Sequence, residues 1–196
     1  LKLAKENVKN ITEIMTEVVK YNTDAILIMI TNPLDVTTYL AATKFGWKHG
    51  RLFGTGTTLE TLRFKYILSR HFDVNPHDIQ GYMLGEHGNS AFPAWSTVSI
   101  GGIRLNDLHH YFPEVKLDRE LIHKQVVKTA YEVMDAKGWT NTGIASGAIR
   151  LAQAVFFDEK AVVPVSVPLT GEYGLKDVAL SLPSVVGKDG VEKRLA

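Results

Sequence analysis

Apolar side chains at three- and four-residue spacings open the chain. Val8, Ile11, Ile14, Met15, Val18 and Val19 recur within Leu1–Tyr21 with lysines and glutamates between them. That pattern predicts a helix with one buried face. Asn22-Thr23-Asp24 ends it, and Ala25–Ile30 (Ala-Ile-Leu-Ile-Met-Ile) is apolar without alternation, as in a parallel strand covered on both sides. Pro33 then stands near the start of a second helix, predicted over Leu34–Lys44. Helix, buried strand, turn, helix is the rhythm of a doubly wound α/β sheet, whose ligands bind beyond the carboxyl ends of the strands. Asn32 falls at that place.

Further along, Leu52-Phe53 reads as a short strand and Gly54-Thr55-Gly56-Thr57-Thr58 as a turn before a helix over Leu59–Phe72. Two strand-like runs, Asp78–Leu84 and Phe92–Gly102, flank Gly85-Glu86-His87-Gly88-Asn89-Ser90. Helices are predicted over Leu117–Lys137, stopped by Gly138, and over Thr142–Asp158. Val162–Pro168, Val178–Leu182 and Ser184–Val186 alternate in β fashion around Gly171–Gly174. The front is therefore α/β and the back mixed α+β, with a boundary expected near Arg51–Thr55.

A length of 196 residues allows one substantial core or two small lobes. A formal charge of +1 gives no electrostatic case for nucleic acid or an anionic membrane as partner. No apolar run is long enough for a membrane span. The absence of cysteine removes disulfides, thiolate catalysis and Cys-based zinc sites, and fits a reducing compartment such as the cytoplasm. Leu1 is not a methionine and the first segment is already a helix, while Val191–Ala196 reads as a strand without its cover. The chain is therefore expected to be a fragment.

Three places carry candidate chemistry. His87 sits between glycines at a strand end, where a ligand can approach closely and an imidazole can exchange a proton near neutrality. Alone it reads first as a structural histidine in a turn. Glu60 and Arg63 share one face of the first turn of a helix, directly after the glycine turn. They fit a surface ion pair, or an arginine fork for a carboxylate beside an acid that orients the imidazole. The amides of the glycine turn are free to face a ligand in that second reading. Thr140 lies between two helices and is placed to be an N-cap. Adjacent His109-His110 and the lack of a His-Glu-x-x-His pattern argue against a metal site, and Gly54-x-Gly56 lacks the lysine of a P-loop.

Asn32 after a buried strand, Glu60 and Arg63 after a glycine turn, the Gly85-Glu86-His87-Gly88 loop and Lys137-Gly138-Trp139-Thr140 occur in one order. Together they resemble the L-lactate dehydrogenase family, part of the lactate/malate dehydrogenase superfamily, over essentially the whole chain. The resemblance implies the second half of a Rossmann dinucleotide-binding sheet over residues 1–52. An α+β catalytic domain over 53–196 follows, with the cofactor-binding N-terminal half and a C-terminal helix missing. It implies NAD-dependent interconversion of a 2-oxo acid and the L-2-hydroxy acid, with pyruvate and L-lactate leading. Bulkier 2-hydroxy acids, malate, or an incompetent truncated chain are the alternatives. His87 matches the proton donor and acceptor, Glu60 its carboxylate partner and Arg63 the carboxylate-binding arginine. Asn32 matches the asparagine near substrate and nicotinamide, and Thr140 the threonine against the substrate side chain. Thr55, Leu59 and Ile144 fall at the nicotinamide end of the cofactor. A homo-oligomer, usually a tetramer, is implied as well.

Three departures from the family pattern carry expectations. Glutamate stands at position 60 where the family has aspartate, so the pair persists only if backbone or rotamer shifts, with slower chemistry. The Gly-x-Gly-x-x-Gly fingerprint and the mobile-loop arginine are absent, so these residues alone are expected to bind NAD poorly and turn over little. Lys65 and Gln80 stand where sugar-bisphosphate-activated relatives carry arginine and histidine, so little activation by that ligand is expected.

Overall fold

The computed structural model describes residues 2–196, so Leu1 of the first predicted helix lies outside the described residues. Helix α1 (Lys2–Val18) buries Ile11 and Met15. It stops short of Tyr21, and beyond it the Asn22 side chain accepts the amides of Asp24 and Ala25 at 2.7 and 3.0 Å, an Asx turn that competes with helix. Strand β1 (Leu27–Met29), helix α2 (Leu34–Lys44) and strand β2 (Leu52–Gly54) form the crossover unit, with β1 and β2 parallel. A cis peptide joins Asn32 to Pro33 at the carboxyl end of β1.

Helix α3 (Thr58–Phe72) follows, burying Thr58, Thr61, Phe64, Leu68, Ser69 and Phe72 along one stripe. The predicted strand over Asp78–Leu84 is two short ones in different sheets, β3 (Ile79–Gln80) and β4 (Met83–Leu84). Gly81, at φ +150°, makes the break, an angle that side chains rarely adopt. The run after the histidine loop is likewise divided into β5 (Phe92–Pro93) and β6 (Ser99–Ile100) by a 3-10 turn over Trp95–Thr97, and β7 (Ile103–Arg104) completes a three-stranded sheet with β3 and β6.

Helix α4 (Arg119–Lys137) starts at an N-cap, Asp118, whose carboxylate accepts the Leu121 amide, and ends at Gly138 with φ +84°. Helix α5 (Thr142–Phe156) is capped by Asn141, not by Thr140: the Asn141 side chain accepts the Thr142 amide at 2.8 Å. The end of the described chain is an antiparallel meander of β8 (Ala161–Thr170), β9 (Lys176–Gly187) and β10 (Gly190–Arg194).

Strand β9 runs through Pro183, which the hydropathy pattern treats as an interruption. Ser181 turns its N–H away from β8 to the Gly85 carbonyl at 2.8 Å, so Pro183, two residues on, also faces away. The missing amide therefore costs the β8–β9 ladder nothing. The five-stranded sheet has the order β1-β2-β8-β9-β10, and its parallel pair meets the meander at one register pair, Gly54↔Ser166.

Three apolar clusters hold these layers. Ile11, Met15, Leu34, Trp47 and Leu52 join α1 and α2 to the parallel pair. Phe53, Leu151, Val165, Leu182 and Val186 pack α5 on the meander. Phe64, Leu68, Met83, Val98, Ile122 and Val126 pack α3 against α4 and the short strands. The ends of β1, α3, α4 and α5 converge on one cleft.

Candidate active site

The segment Thr55–Thr61 fixes the geometry, though not by offering its amides to a ligand. Thr55 N–H donates to the Met29 carbonyl, Thr57 N–H to Ser181 Oγ and Thr58 N–H to the Thr55 carbonyl. Gly56 is required at φ +52°: a Cβ there would lie 2.4 Å from Ser181 Oγ. Thr57 and Thr61, one turn apart on the same helix face, bracket the backbone of Met83. The Thr57 hydroxyl donates to its carbonyl and Thr61 Oγ1 accepts its N–H at 2.9 Å. Strand β4 is thereby pinned to α3, and the histidine loop leaving β4 is held opposite Glu60 and Arg63. A bridge between Gly85 and Ser181 of β9 secures the loop from the other side.

His87 Nδ1 lies 2.9 Å from Glu60 Oε1. The longer glutamate side chain thus reaches the ring, but among the described residues Nδ1 makes no hydrogen bond of good geometry and Glu60 Oε2, although buried, has no partner. The contact is a charge pair, off the line of a straight hydrogen bond. Burial pulls the His87 pKa down, but Glu60, with help from Asp35, outweighs that loss and Arg63's opposing charge, so the net shift is upward. Replacing Glu60 by glutamine is expected to move the ring's titration midpoint to lower pH, followed by imidazole NMR. An unmoved midpoint would show that the 2.9 Å contact carries no charge coupling.

Arg63, on α3 three residues beyond Glu60, is half-buried and, among the described residues, has no carboxylate within 4.0 Å. Burial presses its pKa down against the opposing charge of Glu60. A guanidinium removed from water without a partner is an anion site in waiting.

A cleft of about 640 Å³ contains both groups. Its lining includes Asn32, Leu59, Glu60, Arg63, His87, Thr140 and Ile144, so seven of the eight sequence-predicted residues share one space. Thr55 does not: it is fully buried at the carboxyl end of β2, its hydroxyl without a partner among the described residues. With the cap position taken by Asn141, Thr140 is exposed in the cleft. Lys65 is half-buried near Asp78, and Gln80 is exposed on β3, both outside this cleft.

Two features escaped the sequence. Asn89 and Tyr131 face each other across the cleft, with the Tyr131 hydroxyl donating to Asn89 Oδ1 at 2.8 Å. Asp35, in the first turn of α2, accepts the His87 backbone N–H at 2.7 Å on one oxygen and the Ser166 hydroxyl on the other. An acid in a helix's first turn reads from sequence as dipole compensation, and no local spacing links it to a loop 52 residues away.

An imidazole beside a carboxylate, next to a guanidinium with no ion-pair partner among the described residues, stands at the carboxyl end of the parallel strands. Such an arrangement is chemically able to exchange a proton and to bind a small organic anion. Residues 1–54 match the lactate/malate dehydrogenase NAD binding domain, and residues 57–196 the lactate/malate dehydrogenase alpha/beta C-terminal domain. The chain belongs to the lactate/malate dehydrogenase family.

Among similar curated proteins, the L-lactate dehydrogenase of Selenomonas ruminantium is 49% identical over 192 residues, covering 97% of this chain and 60% of that protein. L-lactate dehydrogenase 2 of Clostridium acetobutylicum is 42% identical over 196 residues, covering 100% of this chain and 61% of that protein. A crystal structure of MGS-M5, a lactate dehydrogenase enzyme from a Medee basin deep-sea metagenome library, superposes with a TM-score of 0.94 at 33% identity. It covers 98% of this chain and 62% of that one. The chain thus spans about three fifths of the length of the relatives it matches.

Proposed function

We propose that these residues form the catalytic part of an NAD-dependent L-lactate dehydrogenase that interconverts pyruvate and L-lactate. The observation that carries this reading is the shared cleft: a histidine paired with a carboxylate, and an arginine without a counter-ion among the described residues, face one small space. The cofactor's nicotinamide end would lie against Ile30, Leu59 and Ile144, apolar residues that line the cleft together with Asn32. When bound there, NAD supplies the hydride acceptor or donor.

The residues of the chain do the rest. Arg63 holds the substrate carboxylate by two parallel hydrogen bonds and, together with His87 on the ketone oxygen, fixes which face of the oxo carbon is presented. Protonated His87 donates from Nε2 to the ketone oxygen as charge develops on it. Glu60 stabilises the imidazolium from the Nδ1 side. In the reverse direction neutral His87 accepts the hydroxyl proton. Thr140 on the α4–α5 junction lies beside the substrate's side chain, and Ala130 and Met134 of α4 line the same region.

No described helix is long and apolar enough to cross a membrane. Exposed Ile149, Phe156 and Phe157 on and just beyond α5 support association with further copies, and a tetramer in the cytoplasm is the state we assign.

Rates of NADH-dependent reduction of pyruvate, oxaloacetate and 2-oxoisocaproate by the intact enzyme test the reading. The highest kcat/KM is expected with pyruvate. Preference for oxaloacetate would assign a malate enzyme, preference for the branched acid a bulkier 2-hydroxy-acid enzyme, and no reduction of any would overturn a dehydrogenase role.

A further inference from the structure

A carboxylate that the proposed chemistry does not use lies directly behind the histidine. Asp35 is 9% exposed, and both its oxygens accept hydrogen bonds: Oδ2 from the His87 backbone N–H at 2.7 Å, Oδ1 from the Ser166 hydroxyl. Burial raises the Asp35 pKa, and the hydrogen bonds from Ser166 and the His87 N–H, together with the charge of His87, work against that rise and favour the ionised form. Its place in the first turn of α2 adds the favourable end of the helix dipole. Burying such a charge is expensive unless it is well partnered. Here the two partners come from separate parts of the fold, the histidine loop and β8, while the carboxylate itself is carried by α2.

We propose that Asp35 is a positioning residue for His87: it pins the histidine's backbone N–H and sets a second negative charge behind the imidazole. The inference rests on the acid–base reading of His87 given above. Glu60 and the bracketing of β4 control the ring's outer side and the loop's base. Asp35 controls the loop at the histidine itself, where a displacement of about 1 Å would cost on the order of a hundredfold in rate. The charged groups around the imidazole are Glu60 and Arg63 from α3 and Asp35 from α2, while Glu86 of the loop faces Asp35. Of these, Asp35 and Glu60 favour the imidazolium and Arg63 opposes it.

Asparagine at this position separates the two roles. Its side-chain oxygen can still accept the His87 N–H and its NH₂ can donate to Ser166, but the charge is gone. In D35N the His87 ring, followed by NMR, is expected to titrate at lower pH than in the unsubstituted enzyme. The upper pH limit of pyruvate reduction should fall with it, while kcat and KM well below both midpoints stay within about threefold. In D35A, which also loses the pinning, kcat at low pH should drop roughly ten- to a hundredfold with a much smaller change in KM.

A ring midpoint unmoved in D35N would overturn the charge role, and full kcat in D35A would overturn the pinning role. Should either variant fail to fold, the unsubstituted protein decides: exchange of the His87 amide as fast as that of exposed Asn89 would refute the pinning. The ring titration needs no turnover. A wild-type chain that titrates as described yet reduces no oxo acid would sink the dehydrogenase reading and leave the positioning intact.

Discussion

Replacing Arg63 by lysine is expected to lower kcat/KM for pyruvate about a hundredfold, almost all of it through KM. The positive charge survives, but the fork does not. A carboxylate held by two parallel N–H bonds would be left with one, and a charge-assisted hydrogen bond is worth about 1.5–3 kcal/mol. That range corresponds to roughly 10- to 150-fold. The compact ammonium also brings tightly held water into a site that Arg63 fills with a weakly hydrated plane. Because no carboxylate of the described residues lies within 4.0 Å of Arg63, nothing internal is broken by the change and the fold should be unaffected. Steady-state kinetics with a thermal melt check both halves. Wild-type kcat/KM in the lysine variant would mean that the guanidinium does not meet the substrate carboxylate.

The reason Arg63 is left without a partner lies in how α3 is built. Its stripe of Thr58, Thr61, Phe64, Leu68 and Phe72 commits one face to the core, whereas the sequence predicts only the helix itself, over Leu59–Phe72. Glu60 and Arg63 flank the stripe, so the same packing that stabilises the helix presents both groups to the cleft. Sequence reading also found the histidine loop, because glycines on both sides of an imidazole after an apolar run are a local signal. The α2 helix agrees with its predicted bounds for the same reason: its limits are written in adjacent residues, Pro33 at one end and Gly46 beyond the other.

What was not legible depends on partners far away in the chain. The glycine turn looked like a ligand cradle because sequence shows no distant acceptors for its amides. Those of Thr55 and Thr57 are spent on Met29 and Ser181, contacts that exist only once β1 and β9 have come together around β2, and that of Thr58 on the Thr55 carbonyl. Thr55, placed at the nicotinamide end by the family resemblance, is fully buried and is not among the residues lining the cleft. Thr140 looked like a cap until Asn141, one residue on, took that bond. Pro183 looked like a strand end because sequence does not reveal which way each residue of a strand turns its amide. Asp35 gave only the ordinary signal of an acid near a helix start. In each case the pattern was right about local preference, and tertiary pairing decided the use.

The largest effect of all is expected at His87. Glutamine there keeps polarity and approximate size but cannot deliver a proton, and removing a general acid–base group costs about 10²- to 10⁴-fold. We expect kcat for pyruvate reduction to fall by about a thousandfold or more in H87Q, with KM changing far less because Arg63 still holds the substrate. The direction of the His87 shift fixes the pH dependence. Burial lowers the ring's affinity for a proton, but Glu60 and Asp35 more than restore it, so the ring stays protonated above its ordinary value of 6.5. Pyruvate reduction needs the imidazolium and should be flat at low pH, then fall about tenfold per pH unit above the raised midpoint. L-lactate oxidation needs the neutral ring and should rise through the same midpoint. Stability follows with the same sign. Between the unfolded and folded midpoints the folded chain binds more protons than the unfolded one, so His87's contribution is complete below about 6.5 and is lost as pH rises through the folded value. H87Q should therefore flatten both the rate profile and this part of the stability profile. Reduction that instead rises with pH, or a variant that retains a tenth of the wild-type kcat, would remove the imidazole from the proton path.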